Sequence, residues 1–351
     1  MSYISKPKID HAGLSKNNLG LTIQDYEGGM STLCAGCGHD SITASICQAF
    51  FELDIPPHRV AKLSGIGCSS KTPAYFLDAS HGFNSVHGRM PSVATGTSAA
   101  NSGINVIGVS GDGDSLSIGL GQFAHAMRRN VNMTYLIENN GVYGLTKGQF
   151  SASADIGSKL KKGELNEQPP IDPVQMALSQ GATFVARSFS GDKKQLVPLL
   201  KAAIKHNGFG LIDILSPCVT FNDHEDSTKS YAHTREFFHP AVHLDYIPPA
   251  KEIKTAYDQG EAMPIEMHDG SKLILRKLEK DYNFENRGQA LDYVRAKHRS
   301  GEIVTGLLFI DEAVPDMHHL NNTSNVPLNE LEFKDLCPGS SVLKKIQKGF
   351  I

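Results

Sequence analysis

Short apolar runs alternate with segments of helical periodicity over about residues 40–220. The runs are "RVAKLS", "INVIGVSG", "VNMTYLIEN", "TFVARS" and "FGLIDILS", and most of them end in glycine or small polar residues. Such runs are typical of strands that are buried on both faces of a parallel sheet. Because parallel strands need crossover connections, the alternation predicts an α/β fold with a doubly wound parallel sheet.

Helices are predicted between these strands. The apolar residues of "ITASICQAFF" recur at helical spacing, so residues 40–53 are predicted as a helix, with Asp40 or Ser41 as the cap. Asp172 before a proline begins another predicted helix, and Gly181 ends it. Further helices are predicted over "DSLSIGLGQFAHAMRRN" and over "DKKQLVPLLKAAIKHNG", with the latter ending at its final glycine.

The alternation stops after the last of these strands. We expect an N-terminal arm at residues 1–30, a binding domain of the diphosphate-binding type at residues 31–225, and a C-terminal extension at residues 226–351. The extension contains mixed short elements and is predicted to pack on the core or on a partner. No internal repeat interrupts this division.

Composition excludes several classes of function. Of the 351 residues, 40% are hydrophobic and 20% charged, which is an ordinary composition for a globular protein. The formal net charge of -3 does not indicate binding to nucleic acid. No run of about 18 apolar residues is present, so no membrane span is expected. The polar N-terminus does not resemble a signal peptide, which predicts a cytoplasmic protein.

Four of the six cysteines are predicted to meet at one edge of the sheet. Cys34 and Cys37 form a CxxC motif, while Cys68 and Cys218 each follow a predicted strand. Four thiolates suit Zn²⁺ or a [4Fe–4S] cluster, and two isolated cysteines far apart in sequence fit a buried cluster better than a second zinc knuckle. A redox-active dithiol at "CAGC" is a third interpretation.

Oxygen ligands are predicted at the same edge. Asp112 follows a strand directly, between Gly111 and Gly113, and Asn140 ends the next strand. Ligands of open α/β sheets bind beyond the carboxyl ends of the strands, and the N-terminus of the following helix favours phosphate. Because Mg²⁺ prefers oxygen ligands and bridges to phosphates, the spacing predicts a magnesium-dependent diphosphate site.

The stretch from "GDGD" to "NNGVYG" resembles the thiamine diphosphate motif. Together, "LCAGCGH", "GIGCSS", "HGRMPSVATG", "GDGD", "NNGVYGLTKGQ" and "PC", in this order, resemble the β subunit of the 2-oxoacid:ferredoxin oxidoreductases. The resemblance covers about residues 30–225, and the residues beyond about 240 contribute less to it.

The resemblance implies three cofactors and their ligands. Mg²⁺ would be held by Asp112, Asn140 and the Val142 carbonyl, and one [4Fe–4S] cluster by Cys34, Cys37, Cys68 and Cys218. Thiamine diphosphate would contact Ile66, Gly67, Cys68, Ser69, His87, Gly111, Asp112, Gly113, Asp114, Asn140, Val142, Gly144 and Leu145.

The same resemblance implies a reaction and partners. A 2-oxoacid, coenzyme A and oxidised ferredoxin would give acyl-CoA, CO₂ and reduced ferredoxin, in a reversible reaction. The family activates thiamine through a glutamate of a pyrimidine-binding domain, and this chain shows only the diphosphate half. An α subunit carrying the pyrimidine domain is therefore expected, in an (αβ)₂ heterotetramer.

Substrate choice rests on Lys71 and Leu145, a pattern similar to that of relatives accepting dicarboxylic 2-oxoacids. Lys71 would pair with the distal carboxylate of 2-oxoglutarate, a contact that pyruvate cannot make. Alternatively, Lys71 is a solvated lysine or contacts a CoA phosphate, and the substrate is pyruvate or another 2-oxoacid. Two other classes stay open: a non-redox thiamine diphosphate decarboxylase with structural zinc, and a scaffold protein with a degenerate site.

Overall fold

A mostly parallel sheet forms the centre of the protein. The computed structural model describes residues 6–9, 11–159, 164–222, 228–229, 234, 236, 238–242, 262–266, 272–276 and 282–350. Its strands are β1 (Val60–Ser64), β2 (His81–Asn84), β3 (Asn105–Gly111), β4 (Met133–Asn139), β5 (Val142–Tyr143), β6 (Gln149–Phe150), β7 (Phe184–Phe189), β8 (Phe209–Leu215), β9 (Phe238–Val242), β10 (Ala262–Glu266), β11 (Lys272–Arg276) and β12 (Ile303–Ile310). In the described residues, eight of them form one sheet in the order β2-β1-β3-β4-β8-β7-β12-β9.

Helices flank several strands of this sheet. They are α1 (His39–Glu52), α2 (Met90–Ala100), α3 (Leu120–Arg128), α4 (Pro173–Gln180), α5 (Lys193–Lys205), α6 (Arg287–Arg299), α7 (Met317–Asn321), α8 (Phe333–Leu336) and α9 (Ser340–Lys348). Within the described part of the chain, none is long and apolar enough to cross a membrane. Asp172 caps α4 by accepting hydrogen bonds from two backbone N–H groups, and Gly181 ends the helix at φ +90°, as the sequence predicted.

The sheet is wound on both faces, which confirms the predicted α/β class. Alternate residues of β3 point to opposite sides: Ile107 and Val109 pack with helices α1 and α5, whereas Val106 packs with α2, α3 and α4. On this second face, the rings of Phe123, Tyr135 and Phe209 contact one another with centroids 4.9–6.0 Å apart. The two apolar layers cover the faces of the sheet, and the carboxyl ends of its central parallel strands lie together at one edge.

Two strands, β9 and β12, run opposite to the other six strands of the sheet. Strand β12 pairs antiparallel with β7, with an irregularity in register between Leu307 and Phe309, and β9 then pairs parallel with β12. The sheet therefore includes residues beyond 225, where the sequence had predicted an extension packed on the core or a partner. The division of the chain into domains stays a prediction.

Other elements differ from expectation in detail. The helix predicted from "DSLSIG" onward begins as a π-helical segment, Gly113–Ile118, and continues as α3. Helix α5 ends at Lys205 rather than at Gly208, because the backbone of His206 is extended. Helix α2 and the edge strand β2 were not predicted.

Candidate functional site

Asp112 is buried directly after β3 and is surrounded by hydrogen-bond donors. Its Oδ2 accepts from the Gly141 N–H (3.1 Å), from the Ser153 hydroxyl (2.7 Å) and from the Ser151 hydroxyl. Its Oδ1 has one weaker contact, with the Asn140 N–H at 3.3 Å. The three donors fix the carboxylate through Oδ2, which leaves Oδ1 as the better oxygen for a ligand.

Asn140 and Val142 belong to the same hydrogen-bonded group. The side-chain Oδ1 of Asn140 accepts from the Val142 N–H (3.1 Å), and its carbonyl accepts from the Asn222 amide (2.7 Å). Both predicted ligands are buried. In the part of the chain that the structure describes, every donor around Asp112 is neutral. A buried carboxylate without a cation is costly, so this set of hard oxygen donors fits a magnesium ion.

The glycine-rich turn after β3 is fixed by close contacts. A Cβ on Gly113 would lie 2.5 Å from the Tyr143 ring, whose hydroxyl donates to the Gly113 carbonyl (3.0 Å). Asp114 accepts from the Gly88 N–H (2.7 Å) and from the Ser110 hydroxyl (2.8 Å). Both carboxylate oxygens of Asp114 therefore brace the turn, and its predicted contact with the cofactor stays a prediction.

The "GIGCSS" segment lies beside this turn. A Cβ on Gly111 would lie 3.2 Å from the hydroxyl oxygen of Ser69, which is buried. Ile66, Gly67 and Cys68 follow β1 and are half-buried, and Gly67 adopts a φ of +108°. The structure thus brings the predicted contacts from β1 and β3 together.

The CxxC turn packs against the ends of β7 and β8. The Cys37 N–H donates to the Cys34 carbonyl (3.3 Å), and the Cys37 carbonyl accepts from the Ser216 hydroxyl (2.7 Å). At Gly38, φ is +87° and a Cβ would lie 2.7 Å from the Cβ of Ser190. Glycine is therefore needed here for both conformation and space.

The sulfurs of Cys68 and Cys218 both lie close to Gly144. A Cβ on Gly144 would be 3.5 Å from the Cys68 sulfur and 3.7 Å from the Cys218 sulfur. Burial raises the pKa of the Cys68 thiol, and Cys218 and Cys34 add to the increase, so these thiols are within electrostatic reach of each other. Burial also raises the pKa of Cys37 to about 11.

Four thiolates suit an iron–sulfur cluster in chemistry, and Gly144 places no side chain beside the Cys68 and Cys218 sulfurs. No three His, Cys, Asp or Glu side chains of the described residues are arranged to hold a metal ion. The cluster accordingly stays a prediction.

A buried acid lies beneath the site, and sequence reasoning missed it. Glu138, near the end of β4, is fully buried, and the Thr72 hydroxyl lies 3.0 Å from each of its oxygens. His39 Nε2 is 3.5 Å from the carboxyl. Burial raises the pKa of Glu138 well above its usual value and lowers the pKa of His39 to about 4. A single acid in the apolar run "MTYLIEN" was the available signal.

The remaining predicted residues lie around the rim. Lys71 is half-buried in the turn after Cys68, and its N–H donates to the Cys68 carbonyl (3.1 Å). Leu145 is 53% exposed, and the side chain of His87 is also exposed. Ser151, Ser153 and Asn222 were not predicted, because they reach the site from loops.

The chain is similar to known proteins in sequence and in fold. The family model for the C-terminal TPP-binding domain of thiamine pyrophosphate enzymes matches residues 65–214. The chain is 42% identical over 249 residues to the 2-oxoacid:ferredoxin oxidoreductase subunit beta of Saccharolobus solfataricus, covering 70% of this chain and 77% of the relative. It is 44% identical over 191 residues to the 2-oxoglutarate oxidoreductase subunit KorB of Mycobacterium tuberculosis, covering 54% of this chain and 51% of the relative.

A solved structure is similar over nearly the whole chain. It is a 2-oxoglutarate:ferredoxin oxidoreductase from Magnetococcus marinus with 2-oxoglutarate, coenzyme A and succinyl-CoA bound. The match has a TM-score of 0.71 and 30% sequence identity, and it covers 93% of this chain and 97% of that chain.

Proposed function

Because the chain belongs to the β subunits of the 2-oxoacid:ferredoxin oxidoreductases, we propose that it catalyses the CoA-dependent oxidation of 2-oxoglutarate. The products are succinyl-CoA, CO₂ and reduced ferredoxin, and the reaction is reversible. The observation that carries the proposal is the position of Gly144, two residues after the candidate ligand Val142 and in contact distance of the Cys68 and Cys218 sulfurs. One segment thus joins an oxygen site to a sulfur site.

Asp112, Asn140 and the Val142 carbonyl bind Mg²⁺ in this proposal, and the turn at Gly111 and Gly113 receives the diphosphate. Thiamine diphosphate would supply a nucleophilic carbon for attack on the 2-oxo group. The buried donors around Asp112 hold its carboxylate in place before the metal arrives, which limits the reorganisation that binding requires.

Cys34, Cys37, Cys68 and Cys218 bind one [4Fe–4S] cluster in this proposal. The cluster would accept electrons one at a time and pass them to ferredoxin. Gly144 places no side chain beside the Cys68 and Cys218 sulfurs, and Cys37 is buried, whereas Cys34 is exposed. The three similar proteins named above are oxidoreductases, which favours this redox role over a decarboxylase with structural zinc.

Membership of a β-subunit family implies an α-subunit partner. We place the pyrimidine domain on that α subunit and expect an (αβ)₂ heterotetramer with the cofactor at the subunit interface. The exposed rim residues Leu145 and His87 support this, since both lie near the candidate site without a covering partner among the described residues.

Lys71 selects the dicarboxylic substrate in this proposal. Its ammonium lies close enough to Cys68 to lower the pKa of that thiol against the dominant effect of burial. A cation at this point can pair with the distal carboxylate of 2-oxoglutarate. Pyruvate or another 2-oxoacid is the second candidate substrate.

The test is anaerobic purification with the α subunit, followed by CoA-dependent reduction of a viologen or of ferredoxin. The proposal expects about four iron and four sulfide per β chain and faster reduction with 2-oxoglutarate than with pyruvate. A colourless protein that contains only zinc would refute the redox role. Equal rates with both acids would refute the use of Lys71.

Substitution of Lys71 tests the substrate separately. For Lys71→Met, the KM for 2-oxoglutarate should rise about 10-fold or more, because a charge-assisted contact is lost, while the KM for pyruvate stays unchanged. Lys194→Met, which alters an exposed lysine at the start of α5, is the control and should change neither value. An equal rise for both acids would point to CoA contact instead.

A further inference from the structure

The peptide group that joins Asn140 to Gly141 is held at both of its ends. Its N–H, from Gly141, donates to Asp112 Oδ2 at 3.1 Å. Its carbonyl, from Asn140, accepts from the Asn222 side-chain amide at 2.7 Å. The orientation of this peptide decides where the Asn140 side chain and the following Val142 point, so both hydrogen bonds act on the candidate metal ligands.

Asn222 is itself fixed by the turn that begins at Cys218. Its N–H donates to the Cys218 carbonyl (2.9 Å), and the two residues pair as an isolated antiparallel bridge. Its side chain is 3% exposed. A Cβ on Gly141 would lie 2.7 Å from the Asn222 amide nitrogen, so the amide packs directly on the peptide that it binds.

We propose that Asn222 is a positioning residue that couples the Cys218 turn to the Asp112–Asn140 loop. This inference rests on the proposed function. A displacement of Cys218 moves Asn222 through the bridge, and Asn222 then moves the Asn140 carbonyl. Through the same peptide, the change reaches the hydrogen bond on Asp112. Binding of thiamine diphosphate with Mg²⁺ and occupancy of the sulfur site therefore depend on each other, and the dependence is reciprocal.

The test uses the anaerobically purified complex with the α subunit and two variants. Asn222→Asp keeps the volume of the side chain but cannot donate to the Asn140 carbonyl, and Asn222→Ala removes the group altogether. The matched control is Asn130→Asp, at the opposite edge of the sheet. Asn130 is also 3% exposed, and its amide donates to the Pro315 carbonyl at 3.2 Å.

Two readouts are measured on each protein: the Kd of thiamine diphosphate in the presence of Mg²⁺, by calorimetry after cofactor depletion, and the EPR signal of the reduced cluster. Both Asn222 variants should raise the Kd about 10-fold and change the EPR signal. Asn130→Asp should change neither, although it lowers the Tm. An unchanged Kd in both Asn222 variants would overturn the proposal.

A double-mutant cycle separates coupling from simple damage. Cys218→Ser should raise the Kd of thiamine diphosphate about 10-fold in the wild-type background and less than about twofold in the Asn222→Asp background. Equal effects in the two backgrounds would show that Asn222 does not transmit the change. A different result, a wild-type complex with no cluster signal, would refute the proposed function. The effect of Asn222→Asp on the Kd of thiamine diphosphate would then still show whether Asn222 positions the Asp112–Asn140 loop.

Discussion

Asp112 and Ser153 are joined by a hydrogen bond of 2.7 Å between the carboxylate Oδ2 and the serine hydroxyl. The same hydroxyl lies 3.0 Å from Asn139 Oδ1, and the Asn139 amide donates to Asp213 Oδ1 at 3.0 Å. A hydroxyl has one proton, and the charged acceptor Asp112 binds it more strongly. A line of buried polar groups therefore connects the candidate metal ligand with the interior of the sheet.

Ser153→Ala should weaken the Mg²⁺-dependent binding of thiamine diphosphate about 10-fold, because Asp112 loses a donor that orients it. The measurement is a titration of the cofactor-depleted complex at fixed Mg²⁺, repeated over a range of Mg²⁺ concentrations. Ser158→Ala is the control: this serine is buried, and its hydroxyl has no hydrogen-bond partner among the described residues. Equal affinities for the two variants would show that Ser153 has no such role.

Arg187→Met should lower the free energy of unfolding by about 3–5 kcal/mol. The guanidinium contacts Asp172 Oδ1 at 2.6 Å and Asp213 Oδ2 at 2.7 Å, and its removal leaves two buried carboxylates without their cation. Lys201→Met, which breaks the more exposed pair with Glu52 (2.8 Å), should cost less than about 1 kcal/mol. Urea denaturation compares the variants, and similar losses for both would contradict the prediction.

Gly65→Ala should abolish thiamine diphosphate binding while the complex still assembles. A Cβ at this position would overlap the carboxylate of Asp114 and the hydroxyl of Ser110, which together brace the glycine-rich turn. The control is Gly96→Ala in α2, where a Cβ meets nothing within 4 Å. That change should leave binding unaltered and raise the free energy of unfolding by up to about 1 kcal/mol, since alanine favours a helix. Retained binding in Gly65→Ala would show that the turn tolerates displacement of Asp114.

The free energy of unfolding should decrease as the pH is lowered from about 6.5 to about 4, in part because of His206. Burial lowers the pKa of His206 to about 4, and its Nε2 lies 2.7 Å from the Thr183 hydroxyl. In this interval the unfolded chain binds a proton that the folded chain does not, so acid favours unfolding. His206→Gln should make the Tm depend less on pH. The corresponding loss of free energy of unfolding across the interval should become smaller by at most about 3 kcal/mol. The unaltered His39 leaves a residual slope, and an unchanged slope in the variant would contradict the assignment.

The strands of the central sheet were predictable because burial on both faces leaves long apolar runs in the sequence. Helix α2 was not, since "MPSVATGTSAA" is built from small and β-branched residues and shows no apolar stripe, although Met90 and Ala94 pack it on the sheet. Strand β2 was missed because it is an exposed edge strand without alternating hydrophobicity.

At the site, Asp112 and Asn140 were predictable from topology alone, since residues that follow neighbouring parallel strands must lie together. Ser151, Ser153 and Asn222 could not be predicted in this way. They approach from loops, and the course of a loop depends on tertiary packing rather than on a local pattern.

Only two peptide units separate Val142 from Gly144, so the candidate oxygen ligand and the glycine beside the Cys68 and Cys218 sulfurs lie at most about 7 Å apart along the chain. No slack exists in this segment for an inserted or deleted residue. An inserted or deleted residue would shift the candidate oxygen ligand by a full residue relative to the candidate sulfur site. No rearrangement within the segment could then keep both in position. The spacing between the two centres is thus set by the covalent chain itself.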